Sequence, residues 1–227
     1  LNLIRSLPDL MTEPVGLQAN LALAESNHRI SNSLSLVGGL LHLQAAELAR
    51  APGPHSSRAV ALLLDQAVDR IQTVGRLHRL LSQTGPEPDL ELSAFLRQIV
   101  EATAASLAPT GRTEVRFLAW ADCIVPVPQA LPIGLIVGEL LTNSLKYAHP
   151  TGVSGLVEVS CRLNPAGGLV VQVRDDGVGL PEGFDPRTAG NLGLRLVRAL
   201  ALQVGGDLRF LATGVGLLAT LTVPEAR

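Results

Sequence analysis

Glu139, Asn143, Lys146 and Tyr147 break into an otherwise apolar stretch at intervals of four, three and one. Spacings of i, i+4, i+7 and i+8 set them on one face of a helix. A half-buried polar row needs partners, and phosphate oxygens with a divalent cation would supply them. The amide oxygen of Asn143 is a hard ligand of the kind Mg²⁺ takes alongside waters and phosphate. Lys146 is the only lysine in the chain, the other 17 basic residues being arginines, and it offers a compact charge for phosphate. Further on, Asp175-Asp176-Gly177-Val178-Gly179 leaves an apolar run. Gly177 and Gly179 let the backbone approach a flat ligand without a Cβ in the way. The Asp175 carboxylate can accept from an exocyclic amine such as that of adenine. A third segment, Gly190-Asn191-Leu192-Gly193-Leu194, opens a predicted helix, where free N–H groups and the positive end of the dipole suit an anion. Residues 181–189 between the last two have the length of a lid.

A second kind of chemistry sits near the other end, in Glu25-Ser26-Asn27-His28-Arg29-Ile30-Ser31-Asn32. A neutral imidazole is available near pH 7, and phosphoryl transfer to it needs mainly in-line positioning and charge neutralisation. Glu25, one turn before His28, can hold a ring N–H and fix the tautomer, and Arg29 can stabilise charge on a moving phosphoryl group. His42, His55, His78 and His149 have no comparable surroundings in the sequence.

The elements that must position these groups fall into two textures. Residues 17–50 and 57–83 have helical periodicity: Leu34, Leu41 and Leu48 repeat by sevens in the first, and Val60, Ala67, Val74 and Leu81 in the second, widened by Leu63, Leu64, Ile71 and Leu77. Ala51-Pro52-Gly53-Pro54 stops the first and Ser56 or Ser57 caps the second, giving an antiparallel hairpin. So wide a stripe is expected to pair with a second hairpin in a four-helix bundle of two copies; the alternative is that it packs on the rest of the same chain.

Beyond a polar, Pro-containing linker at 85–91, the pattern alternates. Helices are expected over 92–107, 128–148 and 191–204. Strands are expected over 114–120, 123–127, 156–163, 169–175, 207–212 and 217–223. The predicted class is α+β: a helical hairpin at 17–84 after a connecting segment at 1–16, then an α/β sandwich at 92–227 with helices on one face of a mixed sheet.

Composition narrows the options. Acidic residues outnumber Lys and Arg by 20 to 18 and aromatics are 3%, so nucleic acid is an unpromising partner. Apolar runs fall short of the ~18–20 residues that span a bilayer, and no secretory signal is visible, so a cytoplasmic chain without membrane contact is expected. Cys123 and Cys161 lack metal-ligand spacing and read as small buried hydrophobes.

The order of the three C-terminal segments resembles the nucleotide-binding boxes of the GHKL ATPases and kinases: an Asn box, DxGxG, then a second glycine box. Gly214-Val215-Gly216 with Ala219-Thr220-Leu221 is similar to the family's closing segment. The resemblance implies a Bergerat sandwich binding ATP and Mg²⁺. In it Asn143 holds the metal and Asp175 reads the adenine amine. Gly177, Gly179 and Gly193 give the nucleotide passage, and Glu139, Lys146, Tyr147, Gly190, Leu192, Leu194 and Thr220 lie around it. The segment from Glu25 to Leu34 resembles the phosphoacceptor box of sensor histidine kinases, in the HWE-like subgroup reading His-Arg-x-x-Asn-x-Leu; Ser31 departs from that subgroup's usual basic residue. This implies autophosphorylation on His28, with Asn32 positioning a water for the reverse reaction, a homodimer, and onward transfer to an aspartate of a response-regulator receiver domain. The alternatives are a non-catalytic phosphotransfer or docking module of the same fold, a GHKL protein-serine kinase, and a GHKL ATPase.

Overall fold

The computed structural model describes residues 38–39, 42, 45–46, 57–82, 89–108, 112–120, 123–150, 153–186, 188 and 192–225. Of the first predicted hairpin helix, residues 38, 39, 42, 45 and 46 are helical and the rest lies outside the described residues. Helix α1 spans Ser57–Ser82. Then follow β1 (Asp89–Glu91), α2 (Leu92–Leu107), β2 (Thr113–Ala119), β3 (Ile124–Pro126) and α3 (Val127–Tyr147). After these come β4 (Gly155–Leu163), β5 (Leu169–Asp175), α4 (Leu192–Gln203), β6 (Asp207–Ala212) and β7 (Leu217–Val223).

Five strands form one mixed sheet in the order β2-β4-β5-β7-β6, with β2 and β4 parallel and every other pair antiparallel. Alternation sorts its faces: Val157, Val159, Val171, Val173, Ala219 and Leu221 are buried under the helices, while Gln172 donates its side-chain N–H to Thr220 Oγ1 (3.1 Å) on the other face. Helices α2, α3 and α4 cover the buried face, with Leu92, Leu96, Ile133, Ile136, Leu141 and Val197 at its centre. The helical N-terminal region and the sheet domain are those expected from the pattern.

Local chemistry fixes the ends. Glu91 caps α2 with both carboxylate oxygens, accepting from the N–H groups of Ser93 (2.9 Å) and Ala94 (2.8 Å), a charged cap that complements the dipole. Pro128 stands in the first turn of α3, where a missing N–H has no helical partner to lose.

Two expectations are revised. Residues 89–91, read as linker, form β1 and pair with β3, and Leu90 is buried there. The stripe of the second hairpin helix is divided: Val74, Leu77 and Leu81 are buried in the core shared with the sandwich, whereas Leu64 and Ile71 are exposed, as is Val68 beside them. The C-terminal part of α1 thus packs on the same chain, and the face before it is left open. Cys123 and Cys161 are both fully buried. Burial, and then the neighbouring Cys123, push the Cys161 thiol well above its ordinary range.

Candidate functional site

A cavity of about 390 Å³ opens between α3, the end of β5 and the segment after it. Its walls are mostly apolar, with Leu140, Val173, Leu194, Phe210 and Ala219 among them, and among the described residues Asp175 is the one carboxylate on its lining. An apolar slot with one convergent acceptor is what a planar base with an exocyclic amine requires. Asp175 is buried and oriented. Its Oδ2 accepts from the Ser144 hydroxyl (2.9 Å), and its Oδ1 accepts from the N–H groups of Gly177 and Leu217, both at 3.2 Å. Of about four lone-pair directions on a carboxylate, three are used within the chain and one on Oδ2 is left.

The DxGxG glycines do two different jobs. Gly179 lines the base cavity with φ +70°, a conformation that favours glycine. Gly177 is required by packing: a Cβ there would fall on the carbonyl and side chain of Ala148, at the end of α3. The same contact is closed by Val178 N–H donating to Ala148 O (2.9 Å).

Asp176 points elsewhere. Its Oδ1 accepts from Leu156 N–H and pairs with His149 Nε2, each at 2.8 Å. The Leu156 hydrogen bond, and then the His149 one, hold its carboxyl below the usual carboxylate range. That pair ties the end of α3 to the turn after β5.

A second, larger cavity of about 620 Å³ lies on the outer side of α3, between it, α2 and α1. Glu139, Asn143, Lys146 and Tyr147 all line it, so the polar face read from their spacing is one surface. Asn143 and Tyr147 line both cavities and mark the lip between them. Asn143 is half-buried there. Among the described residues no group of three or more His, Cys, Asp or Glu side chains could hold a metal. A single amide oxygen is the donor set of an ion that keeps waters and takes its other ligands from phosphate, which fits Mg²⁺.

Two assigned residues line neither cavity. Thr220 turns to the far face of the sheet, on Gln172, because Ala219 and Leu221 take the inward positions of β7; Ala219 lines the base cavity in its place. Gly193 is buried in the first turn of α4 and lines neither cavity, that helix supplying Leu194 to one and Leu196 to the other. Leu192 begins α4. Gly190 lies outside the described residues, as do Glu25, His28, Arg29 and Asn32. Of 181–189, Pro181, Phe184 and Pro186 line the base cavity beside Leu180, and Arg198 donates to Pro186 O at 2.6 Å. Ser144 was missed because it lies beside the polar face, turned to the sheet; its adjacency to Asn143 was the available signal.

Comparisons with known proteins agree with this layout. Residues 25–107 match a family model described as histidine kinase. Residues 129–227 match one described as histidine kinase-, DNA gyrase B-, and HSP90-like ATPase. Blue-light-activated histidine kinase 2 of Erythrobacter litoralis is 30% identical over 207 residues, covering 89% of this chain and 56% of the relative. Sensor histidine kinase PdtaS of Mycobacterium tuberculosis is 29% identical over 187 residues, 81% of this chain and 35% of that protein. Among solved structures, Erythrobacter litoralis EL346 blue-light activated histidine kinase superposes with a TM-score of 0.69 at 30% identity, covering 89% of this chain and 58% of that one. The chain therefore spans little more than half of the first relative and about a third of the second.

Proposed function

The chain belongs to the histidine kinases, carrying both the HWE-type histidine kinase region and the ATPase domain of that family, and from that premise we propose that it is an ATP-dependent protein-histidine kinase core that phosphorylates itself on His28. The observation that carries this is the buried, three-donor-oriented Asp175 at the end of an apolar slot whose lip is Asn143.

Asp175 holds the base by accepting from its exocyclic amine, and Leu140, Val173 and Ala219 exclude water around the ring. Asn143 holds Mg²⁺, which when bound supplies charge neutralisation on the phosphate oxygens. Lys146 adds a cation to the same surface and Glu139 a carboxylate. A ring nitrogen of His28 gives its lone pair to the γ-phosphorus as the bond to the β,γ-bridging oxygen breaks, and ADP departs with that electron pair. Glu25 orients the ring, Arg29 faces the transferring group, and Asn32 serves the reverse reaction with water.

Two further elements belong to the proposal. Leu64, Val68 and Ile71 leave an exposed apolar line on α1, which suits a second hairpin and so a homodimer. The phosphoryl group then passes from His28 to an aspartate of a response-regulator receiver domain, in the cytoplasm where ATP is supplied. No described helix is long and apolar enough to cross a membrane.

Incubation with γ-labelled ATP tests the reading. Label on the chain that is lost in acid and kept in base is expected. Acid-stable label, or phosphate release without labelled protein, would move the chain to a serine kinase or an ATPase.

A further inference from the structure

The larger cavity holds two arginines that the kinase reading does not use. Among the described residues its charged lining is Arg76 and Arg79 from α1 with Glu139 and Lys146 from α3, three cations to one carboxylate. Arg76 donates to Thr73 Oγ1 at 2.9 Å on its own helix, and Arg79 stands in the last turn. Among the described residues no carboxylate lies within ion-pair distance of either guanidinium. A surface arginine in a last helical turn complements the dipole and needs no ligand. These two differ because α1 is pinned. Val74, Leu77 and Leu81 are buried in the common core, so Arg76 and Arg79, three apart on one flank, are held over the cavity. Asn143 and Tyr147 line both cavities, so the cavity that holds Asp175 and the one that holds the guanidinium pair meet at these two residues.

We propose that Arg76 and Arg79 are positioning residues for the terminal phosphate of the bound nucleotide, so that α1 completes the triphosphate end of a site whose base end lies wholly in the sandwich. The proposal rests on the nucleotide reading of the base cavity. Its consequence is selective: a triphosphate reaches the α1 arginines and a diphosphate does not. Guanidinium forks suit phosphate better than ammonium groups do, so lysine at both positions keeps the charge and loses part of the contact.

Calorimetric titration of the whole chain with ATP and with ADP, each with Mg²⁺, tests this in the wild type, in Arg76→Ala/Arg79→Ala and in Arg76→Lys/Arg79→Lys. The alanine pair should weaken ATP by about tenfold or more and leave ADP within about twofold, with the lysine pair in between. Thermal melts accompany each variant, and both side chains are exposed enough that the fold is expected to persist. Equal losses for ATP and ADP, or no loss for ATP, would overturn the proposal while leaving the base cavity a nucleotide site. A wild-type chain that binds neither nucleotide would overturn both.

Discussion

Ser144 on α3 donates its hydroxyl to Oδ2 of Asp175 on β5 across 2.9 Å, joining the helix that carries Asn143 to the strand that carries the base acceptor. Both side chains are buried, so the bond sets where the free lone pair of Asp175 points. Ser144→Ala should lower stability by about 1–3 kcal/mol, the range for orphaning a buried hydrogen-bonding group, and should weaken ATP. Asp175→Asn should weaken ATP at least about tenfold and narrow the preference for ATP over inosine triphosphate, because an amide N–H can donate to a 6-oxo group. Denaturant melts and competitive titration of the two nucleotides measure these effects; an unchanged ATP preference in Asp175→Asn would remove it from base recognition.

The same exchange should have opposite signs at two glycines. Gly177→Ala puts a methyl group onto the Ala148 backbone and should destabilise the chain. At Gly138, inside α3, an added Cβ meets nothing within 4 Å, so Gly138→Ala should stabilise by roughly 0.5–1 kcal/mol through helix propensity. Paired thermal melts decide it, and a common sign for both would contradict the packing described for the turn after β5.

Asp176 gives a pH dependence with a definite sign. Its folded-state carboxyl is held low, first by Leu156 N–H and then by His149. A depressed carboxylate contributes stability in full above its unfolded value and loses it as pH falls through the folded one. Stability should therefore decline below roughly pH 5, and less steeply in Asp176→Asn. Asp176 stays partly exposed, its side chain at 47%, so the contribution is screened. NMR titration of that carboxyl in the wild type and in His149→Ala should show the value rising in the variant; an ordinary wild-type value would contradict the pairing.

Much of this was legible because periodicity reports faces. Strand alternation placed β4, β5, β6 and β7 within a residue of their bounds, and the i, i+4, i+7, i+8 row found the surface shared by Glu139, Asn143, Lys146 and Tyr147. Periodicity does not report what covers a face, which is why the α1 stripe reads as one seam although Val74, Leu77 and Leu81 pack on the sandwich while Leu64 and Ile71 do not. Three residues at 89–91 are too few to alternate visibly, so β1 read as linker. Strand alternation itself assigns Thr220 to the face opposite the apolar Ala219, Leu221 and Val223 of β7. The role of Gly177 depends on Ala148, far away in sequence and at the end of another element.

The central claim is that nucleotide held on Asp175 and Asn143 delivers its terminal phosphoryl group to His28. The most direct test is γ-labelled ATP incubated with the wild type and with His28→Ala, with calorimetry of ATP·Mg²⁺ on both. Acid-labile label confined to the wild type, with unchanged ATP affinity in the variant, is the expected result. Label at normal stoichiometry on His28→Ala would contradict it.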